Sequence, residues 1–425
     1  MPKDGPIFSF FAVSRTGNRG AVSMLESAID HLTAEACGGT VHVFTVYPKQ
    51  DQRAKPRPKV DLLNGSPFNL AFKLIPLCLL YCFTRLLRLP IPDALWGKEM
   101  GALLESDVCV IAGGTTFTDA QVFKVPYNVA CILPALLLGK RSMLYSQTLG
   151  PFKHPFNRCC ARFCLRRVDL AAPRGQGSWR CVQDLGIPNA PDLADSAFTL
   201  EVPAETEARI RDTFQPLLAG KTVVGISVNS IVERKCTALG IDHNRIWAEF
   251  IQYLQREGYF VLLVPHSLRL NSTSRHNNDL MTIADILELL PNRENLHIVD
   301  EPYDCKELRV VVGLADYYVA SRFHSMISAL CTKTPVTVFG WGHQKYREVM
   351  AQFGLEACCH DAADLSKEAL AEGLARIIQD AAAIKEQIRE NLPAVQASSM
   401  RNHEEALRLA HEAQAAPSKP NRRTS

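Results

Sequence analysis

Apolar residues along this chain fall in short runs, and their spacing alternates between two periods. Residues 7–13, 41–46, 107–112, 142–146 and 169–172 are short and largely apolar, as strands buried on both faces of a parallel sheet are. Between them, 22–32, 129–138 and 156–165 repeat apolar residues at helical spacing; Met24, Leu25, Ala28, Ile29 and Leu32 make the first such face. The alternation restarts after residue 220. Strands are predicted at 221–228, 259–264, 296–299, 317–320 and 335–339, with helices at 246–256, 279–290 and 306–314. Two further helical stretches follow, 370–389 and 400–413. A repeated strand–helix order predicts an α/β protein with two Rossmann-like, doubly wound domains facing a cleft. The expected N-terminal domain is 1–200, carrying an apolar insert at 67–92. A charged stretch with Pro203, Pro216 and Gly220 reads as a linker over 201–220. The C-terminal domain is expected at 221–398, followed by a helix and disordered tail over 399–425. The polar, Pro- and Lys-rich stretch 49–67 reads as a loop.

Composition narrows the function. Among 425 residues, 47 basic and 44 acidic side chains give a net charge of +3, so there is no global attraction to nucleic acid and none is expected as a partner. The 14 cysteines include no Cys-x-x-Cys pair; they read as small buried hydrophobes in a reducing cytoplasm, with no metal site. Met1 leads within a few residues into the first strand pattern, so no secretory leader is expected. The insert is unusual. From Asn69 to Leu89 it is strongly apolar, flanked by Lys73, Arg85 and Arg88, with an uncharged core at 74–84 too short to span a bilayer. It reads as a core helix or as one lying on the inner membrane surface.

The densest chemistry lies at 321–349. Arg322 and His324 follow the apolar run Tyr317-Tyr318-Val319-Ala320 and precede a helix start at Met326 and Ile327. In an open α/β sheet, ligands bind beyond the carboxyl ends of strands, and the N-terminus of the next helix favours an anion. An Arg and a His there suit a phosphate or carboxylate. The alternative is a surface ion pair beside a buried, hydrogen-bonded histidine. The first turn, Gly17-Asn18-Arg19-Gly20, lacks a dinucleotide fingerprint, so a nicotinamide cofactor is not expected.

Taken with Gly17–Gly20, Gly113-Gly114-Thr115-Thr116-Phe117-Thr118-Asp119 and Ser146-Gln147-Thr148-Leu149-Gly150-Pro151-Phe152, the 321–342 segment resembles the polysaccharide pyruvyl transferase family. Pro173-Arg174 and the stretch 192–198 follow the same order, so the resemblance runs from about residue 7 to about residue 356. The chain departs from the commoner pattern at Ala21-Val22 and at Ala112. The resemblance implies a GT-B-like fold. It also implies transfer of pyruvate from phosphoenolpyruvate to two hydroxyls of a saccharide, free or lipid-linked, giving a cyclic ketal without a further cofactor.

That donor carries a carboxylate and a phosphate, which planar arginine forks match well. Arg322 and Arg174 each follow a predicted strand, one in each half, and correspond in the resemblance to arginines that hold the donor. Lys345 is a further phosphate candidate. Protonation of the enol carbon needs an acid titrating near neutrality, and His324 is the candidate. Asp119 is the candidate base for the sugar hydroxyl, with a helix cap as its alternative. Asn18, Arg19, Gly113, Gly114, Gln147, His266 and Ser325 are expected to line the cleft. Two other functions fit the same pattern: a GT-B glycosyltransferase using a nucleotide sugar, and a non-catalytic partner in polysaccharide assembly.

Overall fold

The computed structural model describes residues 5–89, 92–188, 190–268, 275, 278–341 and 344–416. The first sheet is wholly parallel, in the order β3-β2-β1-β4-β5-β6. Its strands are β1 (Ile7–Val13), β2 (Thr40–Thr45), β3 (Val60–Asn64), β4 (Val108–Ile111), β5 (Arg141–Gln147) and β6 (Leu170–Pro173). The second sheet repeats the plan as β12-β11-β10-β7-β8-β9, again all parallel. It comprises β7 (Val223–Ser227), β8 (Phe260–Leu263), β9 (Leu296–Ile298), β10 (Tyr317–Ala320), β11 (Val336–Gly340) and β12 (Cys359–Asp361). Each chain half starts at a central strand, winds to one edge, then returns to build the other. The winding therefore reverses between β1 and β4 in one sheet and between β7 and β10 in the other. Beyond the carboxyl ends of those strands lie the crevices where such sheets bind ligands.

Alternation along the strands sorts the first core into two layers. Phe11, Phe44, Ile111 and Leu144 pack with Leu70, Leu74, Cys78, Ile132 and Ala161. On the opposite face Phe8, Phe10, Val43, Val110 and Tyr145 pack with Leu25, Ile29, Leu32, Ala406 and Leu409. All fourteen cysteines carry free thiols, and burial pushes several, such as Cys109 and Cys131, up to about 12. Buried thiols such as Cys109 and Cys131 are inert packing groups at neutral pH.

The compact units do not follow the expected boundaries. One comprises Met1–Thr16, Met24–Ser196 and Ser398–Ser425; the other comprises Gly17–Ser23 and Ala197–Ala397. The stretch 201–220 is not a linker. Ala204–Leu218 is a helix of the second unit, burying Ile210 and Phe214, with Phe214 against His297 and Tyr303 and Arg209 bonded to Glu307. Its prolines disguise it: Pro203 immediately precedes the helix and Pro216 occupies the last turn. Glu205 and Glu207 favour the first turn through the helix dipole. The stretch 49–67 is likewise not all loop, since it contains the edge strand β3. Beside it, buried Asp51 accepts from Ser14 Oγ, Arg15 N and Thr45 Oγ1, which holds the turn after β1. The last helical stretches are the helices Lys367–Gln379 and Ala381–Ala415. Residues 417–425 of the expected tail lie outside the described residues.

Three buried histidines stay neutral on folding. Burial lowers His266 to about 4, pushes His403 well down and lowers His243. His403 sits in the first core, bonded to Tyr145 Oη at 2.8 Å and stacked on His31. Their unfolded forms take up protons near pH 6.5, above their folded values, so this stability is present above that pH and lost as pH falls through it towards 4. Urea midpoints should be level from pH 7 to 8 and decline between about pH 6.5 and 4. A midpoint that stays level to pH 4.5 would contradict the assignment.

Candidate functional site

The second unit gathers most of the candidate residues around one buried carboxylate. Asp279 opens the helix Asp279–Glu288 and has no exposure. It accepts from the backbone N–H of Ser230, His266 and Ser267 at 3.3, 3.1 and 2.8 Å. Arg322 donates to it through Nε, at 3.1 and 3.0 Å to its two oxygens, and through Nη2. A further Nη2 bond reaches Ser230 Oγ at 3.2 Å. One carboxylate thus ties together the turns after β7, β8 and β10. The guanidinium plane of Arg322 is fixed in a site where the residue is only 7% exposed. Asn229 Nδ2 to Ser321 O and Tyr346 Oη to Ser321 O, both 3.1 Å, pin the same turn from two other sides.

His324 occupies the first turn of Phe323–Cys331, a helix with no acidic residue in its first turn. Its ring stands edge-on to Phe323, with centroids 5.1 Å apart. The ammonium of Lys345 lies 5.2 Å from the centroid of the same Phe323 ring. Gly20 makes room for the histidine: a Cβ there would sit 2.3 Å from His324 Nδ1. The loop bearing Gly20 belongs to this unit through backbone pairing. Arg19 N donates to His266 O at 2.8 Å, Asn18 bridges to Ser267, and Leu268 N donates to Gly17 O. Asn18 Oδ1 accepts from Gly20 N at 3.1 Å and so shapes the turn. Burial pulls the Arg19 guanidinium below its ordinary value, against the nearby Cys305, Asp304 and Glu307.

Gly20→Ala should displace His324, cost about 1–3 kcal/mol of stability because the new Cβ would also lie 2.7 Å from the His324 Cβ, and lower turnover with little change in KM. Kinetics beside a urea titration check this; unaltered turnover would mean that the placement of His324 has no consequence.

The first unit holds the remaining candidates. Arg174 follows β6 and is 7% exposed; it pairs with Asp195 and donates through Nε to Thr148 Oγ1 at 3.0 Å. Gly114, at φ +70°, adopts the left-handed backbone that glycine tolerates, and a Cβ there would lie 3.9 Å from Arg174 Nη2. Gly113 takes the preceding position, where a Cβ would meet Ala12 at 3.1 Å.

Several expectations are corrected by burial. Gln147 lines no open surface: it is fully buried, with Nε2 on the carbonyls of Ile111 and Tyr145. Ser325 is equally buried, bonded to Ser227 Oγ and Arg322 O. His266 is 3% exposed, with Nδ1 against Val264 O, so it supports the turn from inside. Asp119 does not suit a base. Its carboxylate accepts from Lys153 N, His154 N and Asn157 Nδ2 at 2.7, 3.2 and 2.8 Å, which anchors the segment before the helix Pro155–Leu165. Asp279 was missed in the sequence reading, where it is one acidic residue opening a predicted helix, 43 positions from its arginine. Residues 342 and 343, within the 321–349 stretch, lie outside the described residues.

Two all-parallel, doubly wound sheets of this kind define the GT-B-like class of two-domain α/β folds. Solved structures with the same fold include a UDP-N-acetylglucosamine 2-epimerase (putative) from Listeria monocytogenes, at TM-score 0.60 and 13% identity, covering 96% of this chain and 97% of that one. The trehalose-phosphate synthase from Burkholderia vietnamiensis matches at TM-score 0.57 and 11% identity, covering 96% and 99%. MnaA from S. aureus, solved with UDP, matches at 0.55 and 13%, covering 93% and 94%. No curated protein matches the chain by sequence. The family model for polysaccharide pyruvyl transferase matches residues 18–343, most of the chain. The protein belongs to that family and is a transferase.

Proposed function

We propose that the chain transfers pyruvate from phosphoenolpyruvate to two hydroxyls of one saccharide, forming a cyclic ketal and releasing phosphate. The observation that carries this reading is the turn after β10. A fixed arginine and a histidine stand together there at a helix N-terminus, at the winding reversal of the second sheet. Arg322 offers a planar cation held in register by Asp279, and Lys345 adds a point charge nearby. Both suit a small acid that carries two anionic groups.

His324 would supply the proton. Protonating the methylene carbon of the donor makes its central carbon electrophilic. One sugar hydroxyl adds there and loses its proton. Phosphate then departs with the electrons of the C–O bond, and the second hydroxyl closes the ring with loss of its own proton. One proton enters and two leave, so histidine is regenerated and the second proton passes to phosphate or water. Asp119 is engaged elsewhere, and no base is assigned for the hydroxyls.

The nucleotide-sugar reading draws on the epimerase and synthase folds, but at 11–13% identity these relate by fold alone. Incubating the protein with saccharide acceptors and either phosphoenolpyruvate or a nucleotide sugar separates the two. A product heavier by one pyruvate ketal, with stoichiometric phosphate, supports the proposal. Glycosyl transfer, with no product from phosphoenolpyruvate, overturns it.

A further inference from the structure

The first unit presents a layer of three helices whose outer side is both apolar and cationic. The helix Ile75–Leu86 packs on Val125–Leu138, and Val125–Leu138 packs on Pro155–Leu165. All three seat their inner faces on one side of the first sheet, through residues such as Leu74, Cys78, Ile132 and Ala161. A helix lying on a sheet ordinarily turns polar residues to solvent. Here the first helix and the turn leading into it instead expose Phe68, Phe72, Leu79, Leu80, Phe83 and Leu86, with Phe72 at 70% and Leu86 at 78%. Phe123 at 78%, ahead of the second helix, and Phe156 and Phe163 on the third continue the apolar surface. Scattered exposed hydrophobics are ordinary; a contiguous set across neighbouring helices marks a contact surface.

The charges say what covers it. Residues 67–89, 120–138 and 151–168 include no Asp or Glu, whereas Arg85, Arg88, Lys124, Arg158 and Arg162 are exposed along them. Lys73 is the exception, paired with Glu99 at 3.2 Å. Arg85 lies over the Tyr81 ring and Arg167 over Phe163, an aromatic–cation pairing suited to a lipid–water boundary. An apolar face whose three helical stretches carry cations and no carboxylate of their own complements an anionic bilayer.

We infer that the first unit docks peripherally on an anionic membrane through the outer faces of these helices, placing the enzyme beside acceptors carried on lipid. The stretches Pro67–Leu86 and Asp119–Leu138 are long and apolar enough to cross a bilayer by length and composition. Spanning is nonetheless ruled out in the folded unit, because Leu70, Leu74, Ile132 and Ala135 are part of its core. The helices lie on the surface with their outer side chains in the headgroup region.

Flotation of the full chain with phosphatidylcholine vesicles, with and without phosphatidylglycerol, tests this. The protein should float with the anionic vesicles and be released by high salt. Each cation removed should weaken partition about fivefold, so Arg85→Glu/Arg88→Glu should lose more than tenfold. Leu79→Ser/Leu80→Ser/Phe83→Ser should float poorly while keeping its urea midpoint, since these side chains are exposed. Full chain that stays in the dense fraction with both vesicles overturns the inference. So does a stable dimer that the triple serine variant converts to monomer, because the surface is then a contact between copies. Ketal formation on a soluble acceptor is measured separately, so failure to float leaves the proposed chemistry standing.

Discussion

His324→Ala is expected to lower turnover with phosphoenolpyruvate by ~10²–10⁴-fold while donor affinity stays within a few-fold. The reason is positional. The imidazole sits in the first turn of Phe323–Cys331, two residues past the arginine that fixes the site, and only Gly20 leaves space for it. The cations remain in the variant, so donor binding persists; the proton needed at the methylene carbon does not. Single-turnover kinetics with calorimetric titration of the donor separate the two effects. Near-normal turnover in His324→Ala would remove the histidine from the mechanism, and equal loss of affinity and turnover would make it a binding group.

The second large effect is expected at Asp279. Its carboxylate is fully buried and pairs with Arg322 while accepting from three backbone N–H groups. Asp279→Ala leaves a buried guanidinium without its counter-charge and three donors without an acceptor. Breaking one side of such a pair costs about 3–5 kcal/mol. Donor affinity should fall as well, because the arginine plane is no longer held. Arg322→Lys keeps the charge but cannot reproduce the two-pronged contact, and should retain little of the donor affinity. The neutral pair Asp279→Asn/Arg322→Gln should regain more than half of the lost stability and none of the donor binding. Urea titration and calorimetry on the three variants check this. Full donor affinity in the neutral pair would show that Arg322 has a structural part only.

Much of the architecture was legible along the chain. Short apolar runs at 7–13, 107–112, 259–264 and 317–320 correspond to β1, β4, β8 and β10, because a strand buried on both faces leaves no room for polar positions. The misread pieces are those where local signals conflict. Ala204–Leu218 carries its prolines at the two places where a helix best tolerates or ends with them, and its charges face solvent, so it resembles a linker. The edge strand β3, Val60–Asn64, is short and sits among prolines and lysines, as edge strands often do. The site was legible in part. Arg322 and His324 stand out because they follow a strand and open a helix. Asp119 looked equally well placed, and only its three donors reveal an anchor.

Residue order by itself determined the repeated strand–helix alternation, the family and the position of the Arg-x-His turn. Those are carried by local periodicity and by short motifs whose spacing survives without any fold. Tertiary structure decided what each polar group faces. It joined Asp279 to Arg322 across 43 residues, set Gly20 against His324 across most of the chain, and buried Gln147 and Ser325. It also turned one side of Ile75–Leu86 into the core and left the other outside. Burial and long-range pairing depend on which segments meet, and chain order encodes that only through the completed fold.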